Sequence, residues 1–108
     1  MSIDLNTLAQ MSFAEFQESV ARGAMPPDGA SLPLQALWHD ARGDWDRAHT
    51  CAQEDQGRDG SWVHAYLHRK EGDIGNAGYW YSRAGRRMPE PGVTLEAEWA
   101  AIAKELAK

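Results

Sequence analysis

The chain has 108 residues, a size that fits one domain, and its 43% hydrophobic and 25% charged content matches an ordinary globular protein rather than a disordered one. Sixteen acidic against eleven basic side chains give a net charge of −5, which repels phosphate backbones unless the basic residues segregate, so nucleic acid is an unfavourable partner. No apolar run nears the roughly 18 residues of a membrane span; the single Cys51 cannot close an internal disulfide and no export signal opens the chain, which points to the reducing cytoplasm.

Residues 1–30 read as an N-terminal helical segment and loop. Ile3, Leu5 and Leu8 suggest a short helical turn. Ser12-Phe-Ala-Glu15 is a capping box, so a helix should start at Phe13 and bury Phe13, Phe16 and Val20. Gly23 and the turn-rich Met25-Pro-Pro-Asp-Gly29 end it.

Residues 31–57 form the first of two predicted helical hairpins. Ser31 is a plausible N-cap and Pro33 is tolerated in the first turn. Leu34, Leu37, Trp38 and Ala41 recur at helical spacing. Gly43 supplies a left-handed closing residue and Asp44 caps the next helix, a two-residue reversal. Residues 58–87 repeat the pattern 29 positions on: Val63, Tyr66 and Leu67 stand where Leu34, Leu37 and Trp38 stood, and Gly72-Asp73 makes the same corner. Ala36 and Ala48, like Ala65 and Ala77, are small enough for two helix axes to approach closely. Arg83, Arg86 and Arg87 read as the cationic last turn of a helix. After Met88-Pro-Glu-Pro-Gly92, Thr94 should cap a last helix within 93–108, whose Leu95, Trp99, Ile102 and Leu106 stripe would cover the second hairpin. The predicted class is all-α, about six helices with no strand.

The stretch from Ala65 to Ala84 resembles a tetratricopeptide repeat. The family's pattern of a small residue, a Gly-Asp turn, then spaced small and aromatic residues falls on Ala65, Gly72-Asp73, Ile74, Ala77, Tyr81 and Ala84, and in the first repeat on Ala36, Gly43-Asp44, Trp45 and Ala48. This likeness covers about half the chain and implies a short right-handed solenoid that binds a protein or peptide in the groove of its first helices. Two departures are the period of 29 rather than 34 and the presence of His39 and His68 where tyrosine is usual. The chain is also similar to a group of small proteins carrying His-Ala-Tyr-Leu-His-Arg-x-Glu-Gly-Asp followed by Asn-Ala-x-Tyr-Trp-Tyr, which implies no activity.

The resemblance turns His39 and His68 toward the partner helix, whereas the apolar arcs point nearly the opposite way. The expected compromise packs the arcs between hairpins and the alanine sides within them, leaving the histidines half-buried at the edge. Tyr79, Trp80 and Tyr81 are consecutive and cannot all face one core; Tyr81 takes the core position.

Recognition is the function expected of such an array. The candidate contact residues are Trp62, Tyr66, Arg69 and Lys70, with His64 and His68 at the rim and Trp80 beyond. Trp62, Tyr66 and Arg69 share one helical side, an aromatic pair beside a forked cation that suits an acidic peptide. No catalytic residue, metal or cofactor is assigned. A rival reading is a small metal-dependent or acid/base enzyme around His39, His64 and His68 with Glu71 as an auxiliary carboxylate. There His64 and His68 at i, i+4 offer two imidazoles, and a third ligand would come from His39 or else from His49, Cys51 or Glu71. A third reading is a homodimer that buries the aromatic surplus.

Overall fold

A computed structural model describes residues 11–107. Among them are six helices and no strand: α1 (Phe13–Arg22), α2 (Leu32–Ala41), α3 (Trp45–Glu54), α4 (Arg58–Lys70), α5 (Ile74–Ala84) and α6 (Leu95–Leu106). Ile3, Leu5 and Leu8 lie outside the described residues. None of these helices is long and apolar enough to cross a membrane.

Local chemistry sets the helix starts. Ser12 and Glu15 complete the reciprocal capping box of α1. The side chains of Ser31, Asp44, Asp73 and Thr94 each accept the amide three residues on, at 3.0–3.4 Å. Gly43 and Gly72 take φ of 83° and 88°, a left-handed conformation that side-chain-bearing residues adopt at a cost, so both corners turn in the same way. Arg86 and Arg87 fall beyond the last turn of α5, which closes at a left-handed Gly85.

The most extensive helix contacts join α4 to α5 and α2 to α3, followed by α3 to α4. Ala36, Ala48, Ala65 and Ala77 are all fully buried, so the small residues do allow close approach. Both apolar arcs are buried too, except that Ala41 at the end of the first is exposed. α4 is the central element, buried at every residue from Gly60 to His68. At its start, a side chain on Gly60 would meet the Asp55 carbonyl at 2.2 Å, which is how closely the α3–α4 turn crosses the helix.

α6 departs from its expected place. It packs on α2 and α4, the first helices of both predicted hairpins, rather than capping the second alone. Ile102 is fully buried, Trp99 stacks on Phe16 with centroids 5.9 Å apart, and the Trp99 indole donates to the Leu37 carbonyl at 3.0 Å. The stripe was readable as apolar, but an apolar stripe does not name its partner. α1 is fastened by the Trp38 indole on Ser19 Oγ at 3.1 Å and by Arg42, which donates to the Val20 and Gly23 carbonyls at 2.9 and 2.8 Å.

Candidate functional site

Two polar clusters flank α4. On the side facing α3 and α5, His64 and His68 stand one turn apart, and His49 of α3 reaches across to them. Ring centroids are 4.6 Å (His49–His64), 5.1 Å (His49–His68) and 4.8 Å (His64–His68). One nitrogen from each ring lies within 4.8 Å of the others. A tetrahedral ion with bonds of about 2.0–2.1 Å holds its nitrogens roughly 3.4 Å apart, so the rings need draw in by at most about 1.4 Å.

His39 does not join them. It is half-buried on α2, edge-on to Trp38 at 5.2 Å. Its repeat-equivalent, His68, lies on α4, and the neighbour on the histidine face of α4 is α3. The trio is therefore His49, His64 and His68, and the expectation built on His39 is corrected. His64 and His68 are also not rim residues: their exposures are 4% and 6%, because α4 is enclosed on all sides.

The surroundings hold the rings in a defined state. Glu71 Oε1 lies 2.6 Å from His68 Nδ1, and the Asn76 side-chain amide lies 3.4 Å from His68 Nε2. A neutral His68 therefore donates through Nδ1 and keeps the Nε2 lone pair for an acceptor role, the tautomer a metal-ligating histidine uses when a carboxylate fixes its other nitrogen. Trp45 stacks on His49 at 4.8 Å and Trp80 on His64 at 4.0 Å. Burial, then repulsion from His49 and His68, pushes the His64 pKa down to about 4. Burial and His68 likewise lower that of His49, against weaker opposition from Glu71 and Asp46. Both rings are thus neutral near pH 7, as ligation requires. His68, Glu71 and Asp73 also converge, but both acids are exposed and Asp73 is committed to capping α5.

His64 and Trp80 form part of the wall of a cleft of about 280 Å³, completed by Gln53, Asp55, Gln56, Ser61 and Arg83. Burial pushes the half-buried Cys51 thiol up, away from nucleophilic character.

The second cluster lies on the opposite side of α4 and is sealed by α6. Trp62, Tyr66 and Arg69 do share one side, but it is not open to a partner. Trp62 is 9% exposed beneath the Arg86 guanidinium, 3.8 Å from its ring. Tyr66 is 2% exposed and donates to Asp40 Oδ2 at 2.9 Å; Lys70 reaches the same carboxylate at 2.8 Å. Arg69 holds buried Glu98 at 2.9 Å and the Val93 carbonyl, and Tyr81 donates to the other oxygen of Glu98. The expected exposure of Trp62 and Tyr66 is therefore corrected: α6 supplies the acid and the apolar stripe that this face attracts. Of the predicted contacts, Lys70 stays exposed and Trp80 half-exposed.

No protein-family model matches the chain, and no curated protein or solved structure shows significant similarity to it.

Proposed function

We propose that this protein binds a divalent transition metal through His49, His64 and His68, with Glu71 orienting His68. The observation that carries the reading is the approach of three imidazoles from two helices within 4.8 Å, two of them buried and one held by a carboxylate at 2.6 Å. Three neutral nitrogen donors suit zinc, copper, nickel or cobalt far better than magnesium or calcium, which select oxygen. Three protein ligands also leave a coordination position for water or substrate, the arrangement of catalytic rather than structural zinc. The test is calorimetric titration of untagged, chelator-stripped protein with Zn²⁺. One site per chain is expected, lost in His49→Ala and in His64→Ala; weak binding unchanged by either substitution would sink the reading.

For the scaffold, we read the α2–α3 and α4–α5 pairs as tandem units of a short tetratricopeptide-like array. The matching φ angles at Gly43 and Gly72, the matching caps at Asp44 and Asp73 and the fully buried alanines at matched positions support this. The lone Cys51 favours a reducing cytoplasm as its setting.

Recognition of a protein, or of a second copy, is the second reading. It rests on α5, where Tyr79 is 55% exposed with Arg83 and Trp80 beside it. Sedimentation of the wild type and Tyr79→Ser tests the second-copy form: a dimer lost on substitution supports it, and a concentrated monomer removes it.

A further inference from the structure

We infer that the open coordination position of the metal takes a small oxyanion, a carboxylate or inorganic phosphate, whose remaining oxygens are held by Arg83. This rests on the three-histidine reading and names what would share that site.

The first argument is placement. His64 belongs to both the imidazole trio and the wall of the 280 Å³ cleft, and Arg83 lies on that cleft one turn along α5 from Trp80. His64 and Arg83 therefore share the wall of one cleft, each against the Trp80 ring. The opposite flank of the trio is filled by the Trp45 indole, stacked on His49 at 4.8 Å and edge-on to His68 at 6.0 Å.

The second argument is charge. Three neutral imidazoles leave both charges of a divalent ion uncompensated, and among the described residues the one carboxylate bonded to the trio is Glu71, at His68 Nδ1. Arg83 adds a further positive charge. Arg22, Arg47, Arg69 and Arg86 each pair with a carboxylate, whereas Arg83 makes no ion pair among the described residues. It lies over the Trp80 and Tyr79 rings at 5.5 and 5.9 Å and makes one bond to the Tyr79 hydroxyl at 3.3 Å. The rings place the guanidinium, and its remaining N–H donors form a fork suited to an oxyanion. Asp55, an acid of the wall, has its Oδ1 engaged by the Gly57 amide at 2.7 Å.

The third argument is size and lining. At about 280 Å³ the cleft falls just below the range of about 300–1,000 Å³ for drug-sized ligands, which excludes large ones. Gln53, Gln56 and Ser61 add neutral hydrogen-bonding groups suited to a compact polar ligand. The larger cleft of about 430 Å³, beside Asp40, makes no such demand, because Tyr66 and Lys70 already satisfy that carboxylate.

The test uses the full-length, untagged protein loaded with Co²⁺, whose visible spectrum reports coordination. Acetate and inorganic phosphate are titrated separately into the wild type, Arg83→Gln and Arg83→Lys. A saturable spectral change is expected for the wild type with at least one of the two anions. Arg83→Gln should bind Co²⁺ with the same stoichiometry but weaken the anion at least 10-fold, and Arg83→Lys should fall between. Stoichiometric cobalt with a spectrum that neither anion moves overturns this inference and leaves the metal reading standing. Equal anion affinity in Arg83→Gln overturns the role of Arg83, and failure to bind cobalt overturns both readings.

Discussion

The two faces of α4 solve the burial of polar groups in opposite ways. Toward α6, each charge has found its complement: Asp40 takes Tyr66 and Lys70, and Glu98 takes Arg69 and Tyr81. Both tyrosine hydroxyls are held above their usual range by burial and by those carboxylates, so they stay protonated donors. Toward α3 and α5, aromatic rings stack around imidazoles whose hydrogen bonds involve His68 alone among the described residues. A buried network that matches its own charges fastens the fold, whereas imidazoles with few hydrogen bonds to the protein keep nitrogen capacity for a ligand.

Breaking the saturated face should have the largest effect. Glu98→Ala strands the Arg69 guanidinium in a nearly closed site, and removing one member of a buried pair costs about 3–5 kcal/mol. Urea unfolding should register that loss, while zinc stoichiometry of the folded protein stays the same. A change below about 1 kcal/mol would mean that this junction is less closed than its geometry says.

Next comes the pH response of chelator-stripped protein. His64 binds its proton at about 4 when folded and near 6.5 when unfolded, so below 6.5 the unfolded chain takes up more protons. Stability from this group is complete above pH 6.5 and declines as pH falls toward 4, by up to about 3 kcal/mol. His49 acts in the same direction. The groups facing His64, namely His49 from α3, His68 on α4 and Arg83 from α5, carry no negative charge and do not reverse the sign for His64. His64→Gln should flatten this window, and an equally steep decline in that variant would assign it to other groups.

Glu71→Gln separates orientation from folding. Losing a carboxylate behind a ligating histidine lowers metal affinity about 10–100-fold. Glu71 is exposed, so the thermal midpoint of the metal-free protein should hardly move. An unchanged zinc affinity would place Glu71 outside the site.

The smallest effects test the repeat. Asp44→Ala and Asp73→Ala should each cost about 1 kcal/mol, because each removes one side-chain cap from a matching corner. Strongly unequal costs would argue against equivalent units.

Legibility in the sequence followed the range of the interaction. Ser12, Ser31, Asp44, Asp73 and Thr94 cap helices as read, because a cap needs only the next three residues. Nothing near Glu98 in the chain announces Arg69 or Tyr81. His49 was one of several possible third ligands, and only the seating of α3 on α4 separates it from His39. The face of Trp62, Tyr66 and Arg69 was correctly grouped and wrongly left open, because helical spacing gives a side without naming its cover. Gly60 carried no signal at all: its need for a bare α-carbon arises from a carbonyl that the chain folds back over it.

The corner at Glu71-Gly72-Asp73 belongs to two systems at once. It reverses the chain from α4 into α5, and its first residue fixes the proton on His68. Under the proposed metal reading, register in that linker bears on coordination: one extra residue between His68 and Glu71 would swing the acid about 100° around the helix axis and leave the imidazole able to flip. Scaffold drift and ligand chemistry cannot vary independently at this point, and insertions tolerated at the Gly43 corner should weaken ion uptake here.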